Sequence, residues 1–120
     1  MTEKLGRGDE ARRPTGWTVR LVDRQAAAGW SALLSQAREN LDRAWVAITA
    51  DPRSRDQPMR QHPLKFDLGR VVVDGIELDQ WQYEVTGGGR IWYAIDDARQ
   101  TIWVTQVGTG HPRATDKRRR

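Results

Sequence analysis

The stretch that decides the fold runs Gln80-Trp81-Gln82-Tyr83-Glu84-Val85, then Thr86-Gly87-Gly88-Gly89, then Arg90-Ile91-Trp92-Tyr93-Ala94-Ile95. On both sides of the glycines the side chains alternate in character, the period-two signature of strands buried on one face. Trp81, Tyr83, Val85, Ile91, Tyr93 and Ile95 make the more apolar face. The same parity forces Gln82, Glu84, Arg90 and Trp92 together onto the other. The glycine-rich connection tolerates positive φ and is short, so the two strands are antiparallel neighbours.

Downstream, Asp96-Asp97-Ala98-Arg99 turns the chain again and Thr101 to Val107 supplies a further strand, completing a meander. Upstream, Val71-Val72-Val73 and Ile76-Glu77-Leu78 flank Asp74-Gly75, a two-residue hairpin signal. Pro63-Leu64-Lys65-Phe66 reads as a short extended entry, and Asp51 to Pro63, with three prolines, as a loop. Further back the period changes. Trp30, Leu33, Leu34, Ala37, Leu41, Ala44, Trp45 and Ile48 recur at three- and four-residue steps and share one helical face. Asp23 is placed to cap that helix, and Pro52 ends it. Arg24 to Thr49 is long for one globular helix; we favour a break near Gln36–Asn40, giving a helical hairpin, although periodicity leaves a single rod open. Trp17 to Val22 alternates as a first strand. The expected architecture is α+β: an antiparallel sheet in the order β-α(α)-β-β-β, with a helical layer on one face.

The chain has 120 residues, enough for one domain with its own core. Residues 1–15 are charged, punctuated by glycine and proline, and expected to be disordered. The folded domain is expected over 16–112, followed by a basic flexible tail over 113–120. That tail explains the charge. The net balance is +4, yet five cations against one carboxylate lie beyond Pro112, so residues 1–112 sum to zero. Such a run is a solvated end more often than a binding site. Were it a nucleic-acid anchor, affinity would fall steeply with salt and vanish on deleting residues 113–120. The absence of cysteine excludes a disulfide scaffold, a thiolate metal site and a cysteine nucleophile. No apolar run reaches the roughly 18 residues of a membrane span, so the expectation is a soluble cytoplasmic protein without membrane contact. Two histidines far apart give no zinc signature, the triple glycine lacks the Lys-Ser/Thr of a phosphate loop, and no serine sits in a nucleophile elbow. Neither metal nor small-molecule cofactor is expected.

The polar face carries the functional interest. Glu84 and Arg90 lie on adjacent strands near one turn. Spacing fits an ordinary cross-strand ion pair, contributing about 0.2–1 kcal/mol. It also fits a carboxylate base beside a phosphate-binding guanidinium. His111, after Val107-Gly108-Thr109-Gly110 and held by Pro112, can fold back over this sheet end, where an imidazole suits proton transfer near neutrality. Lys65 and Arg113 add charge nearby, or are plain surface cations. Trp92 points outward by parity, where it can stack on a base or be covered by the tail or a partner.

The order of elements, together with Pro63-Leu64-Lys65, Trp81-Gln82-Tyr83-Glu84-Val85, Arg90-Ile91-Trp92-Tyr93-Ala94-Ile95-Asp96-Asp97 and Gly110-His111-Pro112-Arg113-Ala114-Thr115, resembles the RelE/ParE superfamily of toxins from bacterial type II toxin–antitoxin systems, in its RelE-like branch. The resemblance spans about residues 17–115. It implies a microbial-ribonuclease-like α+β fold, a cognate antitoxin, and metal-independent cleavage of mRNA in the ribosome, which inhibits translation. In such cleavage the RNA 2′-hydroxyl is the nucleophile, and the protein supplies acid, base and positive charge. Carried over by position, Arg90 matches the strand arginine that contacts the scissile phosphate, and His111 a C-terminal catalytic histidine. Gln82 and Glu84 stand where the best-known RelE toxin has lysines. The expected catalytic set is Glu84, Arg90 and His111, with Lys65, Gln82, Trp92 and Arg113 binding RNA. The alternative is a non-catalytic member, either a gyrase inhibitor of the ParE kind or an inactive binding module, which the missing lysines favour.

Overall fold

Turn chemistry and alternation form the strands. The computed structural model describes residues 4–11 and 13–109. In chain order they build β1 (Thr18–Leu21), α1 (Arg24–Gln36), α2 (Arg38–Ala50), β2 (Gln61–Pro63), a short 3-10 turn (Phe66–Gly69), β3 (Arg70–Val73), β4 (Ile76–Glu84), β5 (Gly89–Asp96) and β6 (Thr101–Thr109). His111 and Arg113 lie outside the described residues. At Asp74 and Gly75 φ is 51° and 80°, the left-handed pair of a tight hairpin turn, and Val73 pairs with Ile76 across it. The second hairpin closes differently from expectation. None of Gly87, Gly88 and Gly89 takes positive φ; the Thr86 hydroxyl accepts from the Gly89 amide at 2.7 Å instead. Glycine is needed at 89 for space, since a Cβ there would come within 2.9 Å of Thr86 Oγ1 and 3.2 Å of Leu33 Cδ2.

The six-stranded sheet runs β1-β6-β5-β4-β2, and β3 pairs with the remaining part of β4. The meander is antiparallel as the alternation requires, while β1 joins β6 in parallel, from Thr18 opposite Thr101 to Leu21 opposite Val104. The helical segment is a hairpin. Ala37, at φ −149° and ψ 59°, leaves helical geometry between α1 and α2, and Trp30 meets Trp45 edge to face at 6.3 Å. Asp23 caps α1 as expected, its Oδ1 accepting from the Ala26 amide at 2.8 Å.

The two helices cover the face that carries Trp81, Tyr83, Val85, Ile91, Tyr93 and Ile95, and all six are buried with Leu33, Leu41, Ala44 and Ile48. The opposite face is not uniformly wet. At the end near the β5–β6 turn Val73, Leu78 and Ala94 form a second small core, with Trp103 packed on it. Its neighbour Gln80 is also buried, donating to the Leu68 carbonyl at 2.8 Å and accepting from the Thr105 hydroxyl. This confines the exposed polar region to the end nearest the glycine turn.

The loop before β2 is held at two places. Arg53 bridges Asp79 at 2.8 Å and Asp97 at 3.0 Å, and its hydrogen bond, reinforced by Arg70, holds the Asp79 carboxyl below the ordinary carboxylate range. The buried Tyr93 hydroxyl donates to the Pro52 carbonyl at 2.8 Å.

Contact between α1 and β6 is close enough to exclude a methyl group. A Cβ on Gly29 would lie 2.6 Å from the Val107 carbonyl oxygen and 2.7 Å from Val107 Cβ. Alanine at a helix interior gains about 1 kcal/mol in propensity, but forcing atoms into a packed seam costs about 1–3 kcal/mol, and here one of the obstructing atoms is backbone. Gly29→Ala is therefore expected to lower stability by about 1–2 kcal/mol, read as a shift in the urea midpoint at unchanged slope.

Candidate functional site

Strand register assembles two adjoining rows on the face away from the helices. His62 on β2 pairs with Gln82 on β4, which pairs with Trp92 on β5, which pairs with Gln106 on β6. One step towards the turn, Glu84 pairs with Arg90, Arg90 with Gly108, and the Glu84 amide donates to the Arg60 carbonyl at 2.8 Å. A β-bulge between Trp92 and Tyr93 places both Thr105 and Gln106 beside this region.

The first row has a fixed hydrogen-bond direction. An indole N–H can only donate, and Trp92 Nε1 donates to Gln82 Oε1 at 2.9 Å. The Gln82 nitrogen is thereby turned towards His62 Nε2, a longer contact of 3.5 Å. His62 Nδ1 lies 3.1 Å from the Pro63 carbonyl, an acceptor only, so the neutral ring carries its proton on Nδ1 and presents the Nε2 lone pair to the row. Trp92 is half-buried with its ring held by this bond.

The second row holds opposite charges that do not neutralise each other. Glu84 is half-buried and Arg90 exposed, and although they face each other across the strands no ion pair within 4.0 Å joins them. The expected cross-strand salt bridge is absent. What remains is a carboxylate and a guanidinium directed to the same patch of solvent, with an imidazole in the adjoining row.

Of the residues singled out from sequence, Gln82, Glu84, Arg90 and Trp92 are brought together. Lys65 is exposed just beyond β2, where it precedes the 3-10 turn, and makes no side-chain hydrogen bond or ion pair among the described residues. His62 is the residue that sequence reading missed. It lies in a proline-rich segment taken for loop, and only its pairing with Gln82 shows its place. Among the described residues no three His, Asp or Glu side chains cluster to hold a metal ion. Among the described residues no helix is long and apolar enough to cross a membrane.

No family model matches the chain, and no curated protein matches it. Among solved structures it is similar to the RelBE2 toxin–antitoxin complex from Mycobacterium tuberculosis, at 22% identity and a TM-score of 0.44, over 78% of this chain and 96% of that one. It is also similar to a mutant of the E. coli toxin RelE in the free state, at 21% identity and a TM-score of 0.46, over 84% of this chain and 88% of that one. The likeness is one of fold.

Proposed function

We propose that this chain is the toxin of a toxin–antitoxin pair, a metal-independent endoribonuclease that cuts mRNA on the ribosome and so inhibits translation in the cytoplasm. The observation that carries the reading is the register of Glu84 with Arg90, unpaired to each other, beside the His62–Gln82–Trp92 row. The sequence resemblance supports the same reading and supplies the expected antitoxin partner.

In the proposed reaction Glu84 removes the proton from the RNA 2′-hydroxyl. The freed oxygen attacks phosphorus, and the bond to the 5′-oxygen breaks, leaving a cyclic phosphate and a 5′-hydroxyl. Arg90 stabilises the charge that accumulates on the phosphorane. His62 is the second group for proton transfer, in the role that the sequence assigned to His111, and protonates the leaving oxygen once it carries a proton at Nε2. Trp92, its ring fixed by Gln82, offers a face on which a base stacks, an interaction worth about 1–3 kcal/mol.

The test is mRNA cleavage by the full chain on purified ribosomes kept intact by Mg²⁺, with ribosome-free mRNA as the control. Fragments with cyclic-phosphate and 5′-hydroxyl ends are expected, and Glu84→Gln should slow their formation by about 10²-fold or more. One observation favours a non-catalytic interaction role of the ParE kind: among the described residues Arg90 is the only lysine or arginine that register places in the two rows. Intact mRNA together with blocked DNA supercoiling by gyrase would establish that role instead.

A further inference from the structure

Between β2 and β3 the chain leaves the sheet edge and returns to it. Both strands pair with β4, β2 with residues 81–83 and β3 with residues 76–79. Residues 64–69 therefore form an excursion at the level of Gln80. Its two ends are pinned close together. The Leu64 amide donates to the Gln80 carbonyl at 3.0 Å, and a Cβ on Gly69 would come within 2.8 Å of the Leu64 carbonyl oxygen.

The excursion passes over the face away from the helices. Gln80 shares that face with Gln82 by alternation, and its Nε2 donates to the Leu68 carbonyl at 2.8 Å. Gln80 is itself buried, and its Oε1 accepts from the Thr105 hydroxyl, which also lies 3.2 Å from the Trp92 carbonyl oxygen. A chain of polar contacts thus ties the 3-10 turn to the backbone of Trp92.

Phe66 is the first residue of that turn, 93% exposed and at φ 55°. Left-handed backbone is an outlier for a bulky side chain and persists only where the surroundings impose it. The other non-glycine residues with positive φ among those described, Asp74 and Gln100, lie in the turns that join β3 to β4 and β5 to β6. At its exposure the Phe66 ring contributes almost no packing to offset the strain. Lys65 precedes it, exposed and without an ion pair among the described residues. An aromatic ring beside such a cation suits single-stranded nucleic acid, the ring stacking on a base and the ammonium meeting phosphate. Asp67, exposed on the same turn, repels phosphate, so the ring carries the contact more than charge does.

Given the proposed RNA-cleaving role of this face, on which the inference rests, we propose that Phe66 is a second stacking platform. It binds a base of the single-stranded mRNA that flanks the nucleotide held on Trp92.

The experiment reads binding, not cleavage. The full chain is titrated with a fluorescent 2′-O-methyl RNA of about 12 nucleotides, which lacks the nucleophile and stays intact, and anisotropy is followed. Phe66→Ala should weaken binding about tenfold or more, the loss of one stacked base. Phe66→Tyr keeps a stacking face and should bind as the wild type does. Phe66→Gly should weaken binding as alanine does, yet leave the urea midpoint unchanged or higher, because glycine adopts positive φ freely. That pairing separates a lost contact from a lost fold. Wild-type affinity in Phe66→Ala, or an equal loss in Phe66→Tyr, overturns the second platform; a loss in Trp92→Ala within the same series leaves the RNA reading of the face in place. Absence of binding by the wild type also overturns the platform, and cleavage on ribosomes then tests the catalytic reading by itself.

Discussion

Arg90→Ala is expected to reduce mRNA cleavage by about 10²–10³-fold, the usual cost of removing one donor that stabilises transition-state charge. The fold should hardly notice. Arg90 is exposed and makes no ion pair with Glu84, and surface substitutions of that kind generally stay within about 0.5 kcal/mol. Arg90→Lys keeps the charge and loses the planar fork, so it should recover part of the rate and not all. Cleavage on purified ribosomes, with thermal unfolding of each variant alongside, separates a lost site from a lost fold. If Arg90→Ala cuts as fast as the wild type, the guanidinium has no part in the chemistry and the assignment of this face fails.

How much of this arrangement could be read in the residues depends on the range of the interaction that sets it. Parity along Gln80–Val85 and Arg90–Ile95 needs only the two strands themselves, and it placed all four polar-face residues as the structure has them. The Asp74-Gly75 turn is equally local. The helix break was legible in part, because a 26-residue amphipathic run is too long for so small a sheet, but Ala37 carries neither glycine nor proline to mark it. His62 was hidden for a different reason. Its strand is three residues long and exists only through pairing with Gln61–Pro63's partners on β4, some twenty positions later. The parallel docking of β1 on β6 is also a long-range choice that alternation cannot express. The same holds for the second small core around Ala94 and Leu78, which closes half of a face that composition alone presents as open.

Tyr93→Phe should cost about 2–3 kcal/mol, a fall in melting temperature of roughly 10 °C, although it removes a single oxygen. The ring packing is retained, so the loss comes from hydrogen bonding. The Tyr93 hydroxyl donates to the Pro52 carbonyl and accepts from Gln61, joining the loop before β2 to the centre of the core. Without it the buried Pro52 carbonyl is left with no partner, a penalty of about 1–3 kcal/mol, and the Gln61 amide keeps only its bond to Asp51. The pH dependence provides an independent check. Burial drives the ionisation of the Tyr93 hydroxyl far above the ordinary phenol value, and the Gln61 bond opposes this only in part. In alkali above about pH 10 the unfolded chain therefore releases this proton while the folded chain retains it. The folded state then binds more protons than the unfolded one, and stability falls as pH rises. The stabilisation is complete below the ordinary phenol range and is lost as pH climbs towards the folded-state value. Tyr93→Phe should start lower in stability at neutral pH and decline less steeply in alkali. Parallel alkaline curves for the two proteins, measured by urea unfolding, would show that Tyr93 does not hold its proton in the folded chain and that the loop is anchored by other contacts.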